Sequence, residues 1–320
     1  MDIWALSDLC TPWCIHVAAT LRVADHIAAG KTEIDELATA CGADAEALHR
    51  VLRQLVMKGV FEEPTPGTFA LNDTARGLIE MRTGFDLNGF GGRMANAWST
   101  LLSAVRTGKP AYQDVFGLPY WEDLEAHPEI AAEFDELMGP AGHGPPDPEV
   151  LLDPAGWGQI RTVVDVGGGT GSLLAAVLRT RPKLRGTLVD LPRTIARAGA
   201  TFHGIEDRVT FSGQSFFDPL PAGADLYFLK GVLGDWPDSE ATAILRRCAE
   251  AAGRSGRVVL VNGVNPDDDP SPSLLMLVLV GGKDRTLTEF RAMAREAGLE
   301  VTASGLQESG RFLVECRAMG

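Results

Sequence analysis

Apolar positions recur at helical spacing from the start of the chain. Val17, Ala18, Leu21, Val23, Ala24 and Ile27 share one face, and Gly30 closes the segment. A compact pattern follows: a helical stretch over Glu33–Ala38, a break at Gly42, and a second helix predicted from Asp44 to Lys58 and ended by Gly59. Val60–Glu62 and Thr68–Leu71 alternate as strands around Pro64-Thr65-Pro66-Gly67, which predicts a hairpin. Helix, turn, helix and wing is the layout of a winged helix. Residues 86–138 are predicted largely helical and carry Phe90, Met94, Trp98, Tyr112, Phe116, Tyr120, Trp121, Phe134 and Met138. That mix builds a core, and it also suits the wall of a pocket for a flat apolar ligand. Residues 139–148 hold four prolines and three glycines, so a boundary or lid is expected there.

From Thr162 onward the period changes. Short β-rich runs at Thr162–Val166, Gly186–Asp190, Val209–Phe211, Asp225–Lys230 and Arg257–Val261 alternate with helical segments near 171–181, 193–201, 239–253 and 286–297. Two final runs, Glu300–Ala303 and Arg311–Cys316, are joined by a turn-rich segment. The fold class expected is α/β: a Rossmann-like, doubly wound, mostly parallel sheet with an antiparallel edge hairpin, preceded by a mostly helical domain. The organisation expected is 1–85 as the winged-helix region, 86–150 as a helical linker lining a pocket, and 151–320 as the sheet domain.

Composition excludes several partners. The 320 residues carry 29 basic and 43 acidic groups, a net charge of −14. That balance argues against nucleic acid, whose phosphates need surplus Lys and Arg. Within 31–80 the balance is five basic to nine acidic, and the second helix of the winged motif opens with Asp44 and Glu46. Packing or dimerisation is therefore expected of it rather than DNA reading. The longest apolar run, Leu274–Val280, is seven residues, far short of the roughly 20 that a membrane span requires. Met1-Asp2-Ile3 lacks the basic start of a secretory signal, so a soluble cytoplasmic protein is expected. Five cysteines in a chain of this length are not a disulfide framework. Cys10 and Cys14 share a helical face, with no second pair to complete a metal site, and apolar packing is expected of them.

The most informative segment is Thr162-Val-Val-Asp165-Val-Gly167-Gly168-Gly169-Thr170-Gly171-Ser172. A buried strand runs into glycines and then a helix, where backbone can approach a ligand and unpaired N–H groups face it. The dinucleotide fingerprint fails, because its last glycine falls on Ser172; the pattern present is Asp-x-Gly-x-Gly-x-Gly. Asp190 ends the next strand, 19 residues after Gly171, and is placed to accept hydrogen bonds from both hydroxyls of a ribose.

This pattern resembles the class I S-adenosylmethionine-dependent methyltransferases, and within them the small-molecule O-methyltransferases of plant phenolic and bacterial polyketide pathways. The matching blocks are Val163–Gly171, Ser215-Phe-Phe-Asp-Pro-Leu-Pro, Lys230 with Gly234-Asp-Trp, Ile244-Leu-Arg-Arg-Cys and Gly281-Gly-Lys-Asp-Arg-Thr, in the family's order. The resemblance implies a homodimer, S-adenosylmethionine or S-adenosylhomocysteine as cofactor, and a small aromatic or polyketide-like substrate. Asp165, Gly167, Gly169 and Gly171 would form the cofactor loop, Asp190 would hold the ribose, Ser215 and Phe216 would meet the adenine, and Lys230 would meet the cofactor carboxylate or a nearby carbonyl.

The catalytic positions depart from the family. Its usual histidine base falls on Gly234, the glutamate that orients it falls on Asn262, and a third carboxylate is kept as Asp284. His143, in the Gly-Pro segment, is the one histidine that could enter such a site, so Asp284 and His143 are the catalytic candidates. The resemblance implies methyl transfer by proximity and orientation without a histidine base. It leaves open a relative that binds the cofactor and performs hydroxylation, decarboxylation or ring closure. A non-catalytic dimerising protein would have no need of the glycine loop and Asp190.

Overall fold

A computed structural model describes residues 2–140, 145–269 and 271–319. His143 therefore lies outside the described residues. The chain divides into two compact units, Met1–Asn96 with His127–Leu137, and Ala97–Ala126 with Met138–Gly320; the stretch 86–150 contributes to both.

The first unit follows the hydrophobic pattern closely. Helices cover Cys10–Thr20, Val23–Ala28, Ile34–Cys41 and Ala45–Met57. Asp44 caps the last of these by accepting from the Ala47 N–H at 2.9 Å. Leu37, Leu48, Leu52, Leu55, Phe61 and Phe69 fill the space between helices and wing. The wing pairs β1 (Phe61–Thr65) with β2 (Thr68–Leu71). The predicted four-residue loop is shorter, because Thr65 pairs with Thr68 after a bulge and leaves Pro66-Gly67 as the turn, with Gly67 at φ 82°. Cys10 is exposed and Cys14 half-buried, their sulfurs 3.8 Å apart, so the packing expected of this pair fails for Cys10.

The second unit is built on a seven-stranded sheet. Its strands are β3 (Thr162–Val166), β4 (Arg185–Asp190), β5 (Val209–Gly213), β6 (Leu226–Lys230), β7 (Arg257–Val261), β10 (Leu299–Leu306) and β11 (Phe312–Ala318). Two-residue strands β8 (Val264–Asn265) and β9 (Arg285–Thr286) pair separately. The sheet order is β10-β11-β7-β6-β3-β4-β5, parallel except at β11 and β10. Val163, Leu173, Leu174, Leu188 and Phe228 pack in one cluster, and Val164, Tyr227, Ile244, Leu260 and Phe290 in another, so both faces are covered. The chain runs outward from β3 to β5 and returns to β6, so the direction of winding reverses beside β3. Open α/β sheets bind ligands at the carboxyl ends of the strands at such a point. The expected α/β fold with an antiparallel edge is the one observed.

Candidate functional site

The glycine loop, Ser215-Phe216, Lys230 and the Gly234-Asp-Trp turn follow or end strands at the carboxyl end of this sheet, whereas the Ile244–Cys248 block lies within the core helix Asp238–Ala252. The loop after β3 turns with Gly167, Gly169 and Gly171 all at positive φ. A Cβ on Gly167 would lie 3.3 Å from the Phe216 ring and 2.9 Å from Val232. The Gly169 N–H donates to Asp190 Oδ2 at 2.8 Å and the Leu191 N–H to Asp190 Oδ1 at 2.8 Å, which fixes the carboxylate. The Gln214 N–H donates to the Asp190 carbonyl at 2.9 Å, bringing Ser215 and Phe216 alongside. Ser215 Oγ accepts from the Phe217 N–H at 3.2 Å. Gly167, Gly169, Asp190 and Phe216 therefore converge on one cradle, with Lys230 at the end of β6 close enough to act on Asp165.

Asp165 lies beneath the loop, fully buried, and neither carboxyl oxygen makes a hydrogen bond of normal geometry among the described residues. Burial pushes its carboxyl up to about 8; the Asp190 charge adds to the shift, while Lys230 and the Leu174 N–H oppose it. The consequence for stability has a definite sign. A carboxyl whose folded-state value is raised contributes fully below its unfolded value near 3.8, and the contribution is lost as pH climbs toward 8. Asp165→Asn is expected to flatten this loss, so that thermal melts between pH 5 and 9 favour the variant increasingly at the alkaline end. Parallel pH curves for the two proteins would show that Asp165 does not titrate in this range.

A second group of residues faces the turn after β6. Trp236 stacks on Trp121 with centroids 5.9 Å apart and takes Phe216 and Phe217 edge-on at 5.8 and 4.9 Å, linking the cradle to an aromatic wall that includes Tyr120. A Cβ on Gly234 would find Asp284 Oδ1 at 3.0 Å, and one on Gly263 would lie 3.4 Å from the Gly234 nitrogen. Asn262, at φ 64°, makes the sharp turn out of β7 that brings this backbone in. Gly234, Asn262 and Asp284, far apart in sequence, thus converge. Asp284 also lines a cavity of about 310 Å³ with Asn265, Ser271, Lys283, Thr286 and Glu289.

Comparison with known proteins accounts for the arrangement. A family model described as the O-methyltransferase domain matches residues 98–300, and one described as the O-methyltransferase dimerisation domain matches residues 4–80. The chain belongs to the O-methyltransferase family. It is 43% identical over 309 residues to a 2,7-dihydroxy-5-methyl-1-naphthoate 7-O-methyltransferase of Streptomyces carzinostaticus, covering 94% of this chain and 92% of that one. It is 37% identical over 314 residues to the aclacinomycin 10-hydroxylase RdmB of Streptomyces purpurascens, covering 93% and 83%. Among solved structures, the O-methyltransferase NcsB1 from neocarzinostatin biosynthesis, in complex with S-adenosylmethionine and 2-hydroxy-5-methyl naphthoic acid, superposes with a TM-score of 0.88 at 41% identity, over 100% of this chain and 99% of that one.

Within this O-methyltransferase, three residues gain roles that their spacing did not reveal. Asp235, named only as part of a block, is partly buried, and burial with the Asp284 charge pushes its carboxyl up to about 7. Arg285 is fully buried and donates from its guanidinium to the carbonyls of Leu233 at 2.7 Å, Trp236 at 2.7 Å and Lys283 at 3.1 Å, pinning the 233–236 turn. Gly282 packs backbone on backbone, since a Cβ there would sit 2.2 Å from the Gly234 carbonyl oxygen. The glycine pair and the arginine both stand in the Gly281-Gly-Lys-Asp-Arg-Thr block, but their purpose depends on a turn some fifty residues earlier.

Proposed function

We propose that this chain binds S-adenosylmethionine and transfers its methyl group to a hydroxyl of a small aromatic or polyketide-like secondary metabolite, acting as a cytoplasmic homodimer. The observation that carries this reading is the cradle of Gly167, Gly169, Asp190 and Phe216 opening beside the Tyr120–Trp121–Trp236 wall. The residues fit the cofactor: Gly167 has no room for a side chain, Asp190 is held at the end of β4 by the Gly169 and Leu191 N–H groups, and Phe216 lies against the loop. Asp165, Gly167, Gly169 and Gly171 would surround the methionine portion, Ser215 and Phe216 would meet the adenine, and Lys230 the carboxylate. When bound, the cofactor supplies a methyl group activated on a sulfonium sulfur, and its transfer to an acceptor oxygen leaves S-adenosylhomocysteine. The chain's own contribution is to orient a flat acceptor on the aromatic wall and hold Asp284 at the Gly234 gap. His143 stays a candidate catalytic residue by its sequence position alone.

The N-terminal unit supports self-association. Ile3, Trp4, Leu6 and Leu9 are exposed, Trp4 by 82%, an apolar surface suited to a second copy of the chain. Its acidic balance and the first-turn Glu46 of helix Ala45–Met57 are poor for phosphates, so no nucleic-acid partner is proposed. No membrane partner is proposed either: among the described residues no helix is long and apolar enough to cross a bilayer.

Calorimetric titration with S-adenosylmethionine and S-adenosylhomocysteine, followed by an assay for S-adenosylhomocysteine release with hydroxynaphthoic acids, tests the reading. Saturable binding of both and release with an acceptor are expected; binding of neither overturns it. An added Cβ at Gly234 meets only the movable end of Asp284, whereas Glu at 262 must take the left-handed φ of 64° that Asn holds, so Gly234→His with Asn262→Glu is expected to lose some stability and to raise methylation only if the pocket places an acceptor hydroxyl there. A second reading is favoured by the 37% identical relative named as a hydroxylase and by the loss of histidine at 234: cofactor binding with non-methylating chemistry. It predicts product without S-adenosylhomocysteine.

A further inference from the structure

The five cysteines of the chain have unlike surroundings. Cys248 and Cys316 are buried in the core beside the sheet, and Cys41 donates its S–H to the Leu21 carbonyl at 3.3 Å. Cys10 and Cys14 stand one turn apart on the helix Cys10–Thr20, their sulfurs 3.8 Å from each other in a thiol–thiol hydrogen bond. Cys10 is exposed and Cys14 half-buried. The start of this helix is held from outside it. Asp8 accepts from the Cys10 N–H at 2.9 Å, the Thr11 N–H at 3.1 Å and the Thr11 hydroxyl at 2.7 Å. Lys58 pairs with Asp8 at 3.0 Å, and the Gln54 side chain donates to Thr11 Oγ1 at 3.2 Å. Pro12, between the two cysteines, has no N–H to add to the turn. Burial and the bond to Cys10 push the Cys14 thiol up to about 11, so Cys14 keeps its proton near neutrality.

We propose that Cys10 and Cys14 are a redox-active dithiol, which a hydroperoxide converts into a disulfide across one turn of the helix. No residue of the methyl-transfer site takes part, and the pair acts independently of that chemistry. Exposed Cys10 meets the oxidant first. Its sulfur takes one oxygen of hydrogen peroxide as a hydroxyl group, the O–O bond breaks, and the other oxygen leaves as water with the thiol proton, giving a sulfenic acid. Cys14 then attacks that sulfur from its place at 3.8 Å. The S–S bond forms, the S–O bond breaks, and the hydroxyl leaves as water with the Cys14 proton. Two thiols have given two electrons and two hydrogens, and one peroxide has become two waters. Closure requires the first turn to give, because side chains at i and i+4 start about 5–6 Å apart at Cβ and a disulfide needs roughly 3.5–4.5 Å. The turn can yield where it is weakest: Cys10 is its first residue and Pro12 supplies no N–H. Exposed disulfides are the ones that small thiols reduce readily, which makes the conversion reversible.

The test uses the full chain, reduced and freed of thiol, with its Cys10→Ser and Cys14→Ser variants. After one equivalent of hydrogen peroxide the proteins are denatured in an alkylating reagent and digested with trypsin, whose first cleavage follows Arg22. In the wild type, peptide 1–22 should be lighter by two hydrogens and escape alkylation, and dithiothreitol should restore both thiols. Cys41, Cys248 and Cys316 should stay alkylated. Cys14→Ser should stop at the sulfenic acid, captured on Cys10 by dimedone in about tenfold greater yield than in the wild type. A second measurement needs no oxidant. Phenylarsine oxide exchanges its oxygen for two As–S bonds with release of water, so the reduced wild type should bind it about 100-fold more tightly than either single variant. Peroxide that leaves both thiols of peptide 1–22 open to alkylation, or that oxidises another cysteine before them, overturns the redox role. So does a wild type in which Cys10 goes to its oxygen acids while Cys14 remains a thiol. Arsenical binding no tighter than that of Cys10→Ser shows that the sulfurs do not act as a pair and overturns it as well.

Discussion

Arg285→Met is expected to lower the free energy of unfolding by about 3–5 kcal/mol, the largest effect of any single substitution considered for this chain. The ion pair with Asp238 at 3.0 Å is not the reason, since the Asp238 side chain is 61% exposed and water replaces the lost partner cheaply. The cost comes from the carbonyls of Leu233, Trp236 and Lys283, which lose charged donors where the guanidinium is buried. A buried acceptor left without its charged donor costs roughly 1.5–3 kcal/mol. Lysine keeps the charge but presents one nitrogen in place of a planar fork, so Arg285→Lys should recover only part of the loss. Equilibrium denaturation of the three proteins checks this; a Met variant within 1 kcal/mol of wild type would mean that the turn is held by other contacts.

Gly168→Ala is expected to weaken S-adenosylmethionine binding by about 10- to 100-fold, that is roughly 1.4–2.7 kcal/mol, while Gly169→Ala does less. The two glycines are neighbours in the loop, and the one outside the glycine pattern is the more crowded. Gly168 has an ordinary backbone, but an added Cβ would sit 2.4 Å from the Asp165 carboxyl carbon and 2.6 Å from Leu188, both buried, so the loop must lift. Gly169 meets nothing within 4 Å, and alanine there pays only for its positive φ of 61°, roughly 1–2 kcal/mol. Calorimetric titration of both variants decides the order. Equal affinities would show that the cradle is loose enough to accommodate a methyl group beneath it.

These two glycines also mark how far the sequence could be read. The strands Thr162–Val166 and Arg257–Val261 appear with the predicted bounds, because apolar β-branched runs between polar and glycine punctuation leave little choice. The odd-numbered glycines and Asp190 were legible because they belong to one strand-loop-helix unit and the next strand end. Gly168 passed unnoticed, since crowding by Asp165 and Leu188 exists only after β3 and β4 pair. The seven-residue apolar run Leu274–Val280 carries no period that separates helix from strand, and most of it, Leu274–Leu279, is a short helix. Asp235 and Arg285 were invisible for a related reason: what gives them a role is a contact across some fifty residues, and local spacing does not encode it.

The order of strands has a consequence for how the chain is made. β11 lies between β7 and β10, so the last strand of the sheet to leave the ribosome is an interior one. Until residues 312–318 emerge, β7 offers Val258, Val259, Leu260 and Val261 along an open edge, and Leu313, Val314 and Cys316 have yet to be buried against it. Such an edge is a template for pairing with other nascent chains. A message truncated shortly before this point should therefore yield aggregates rather than a partly active protein, and slow translation over the final turn-rich segment should cost yield of the complete one.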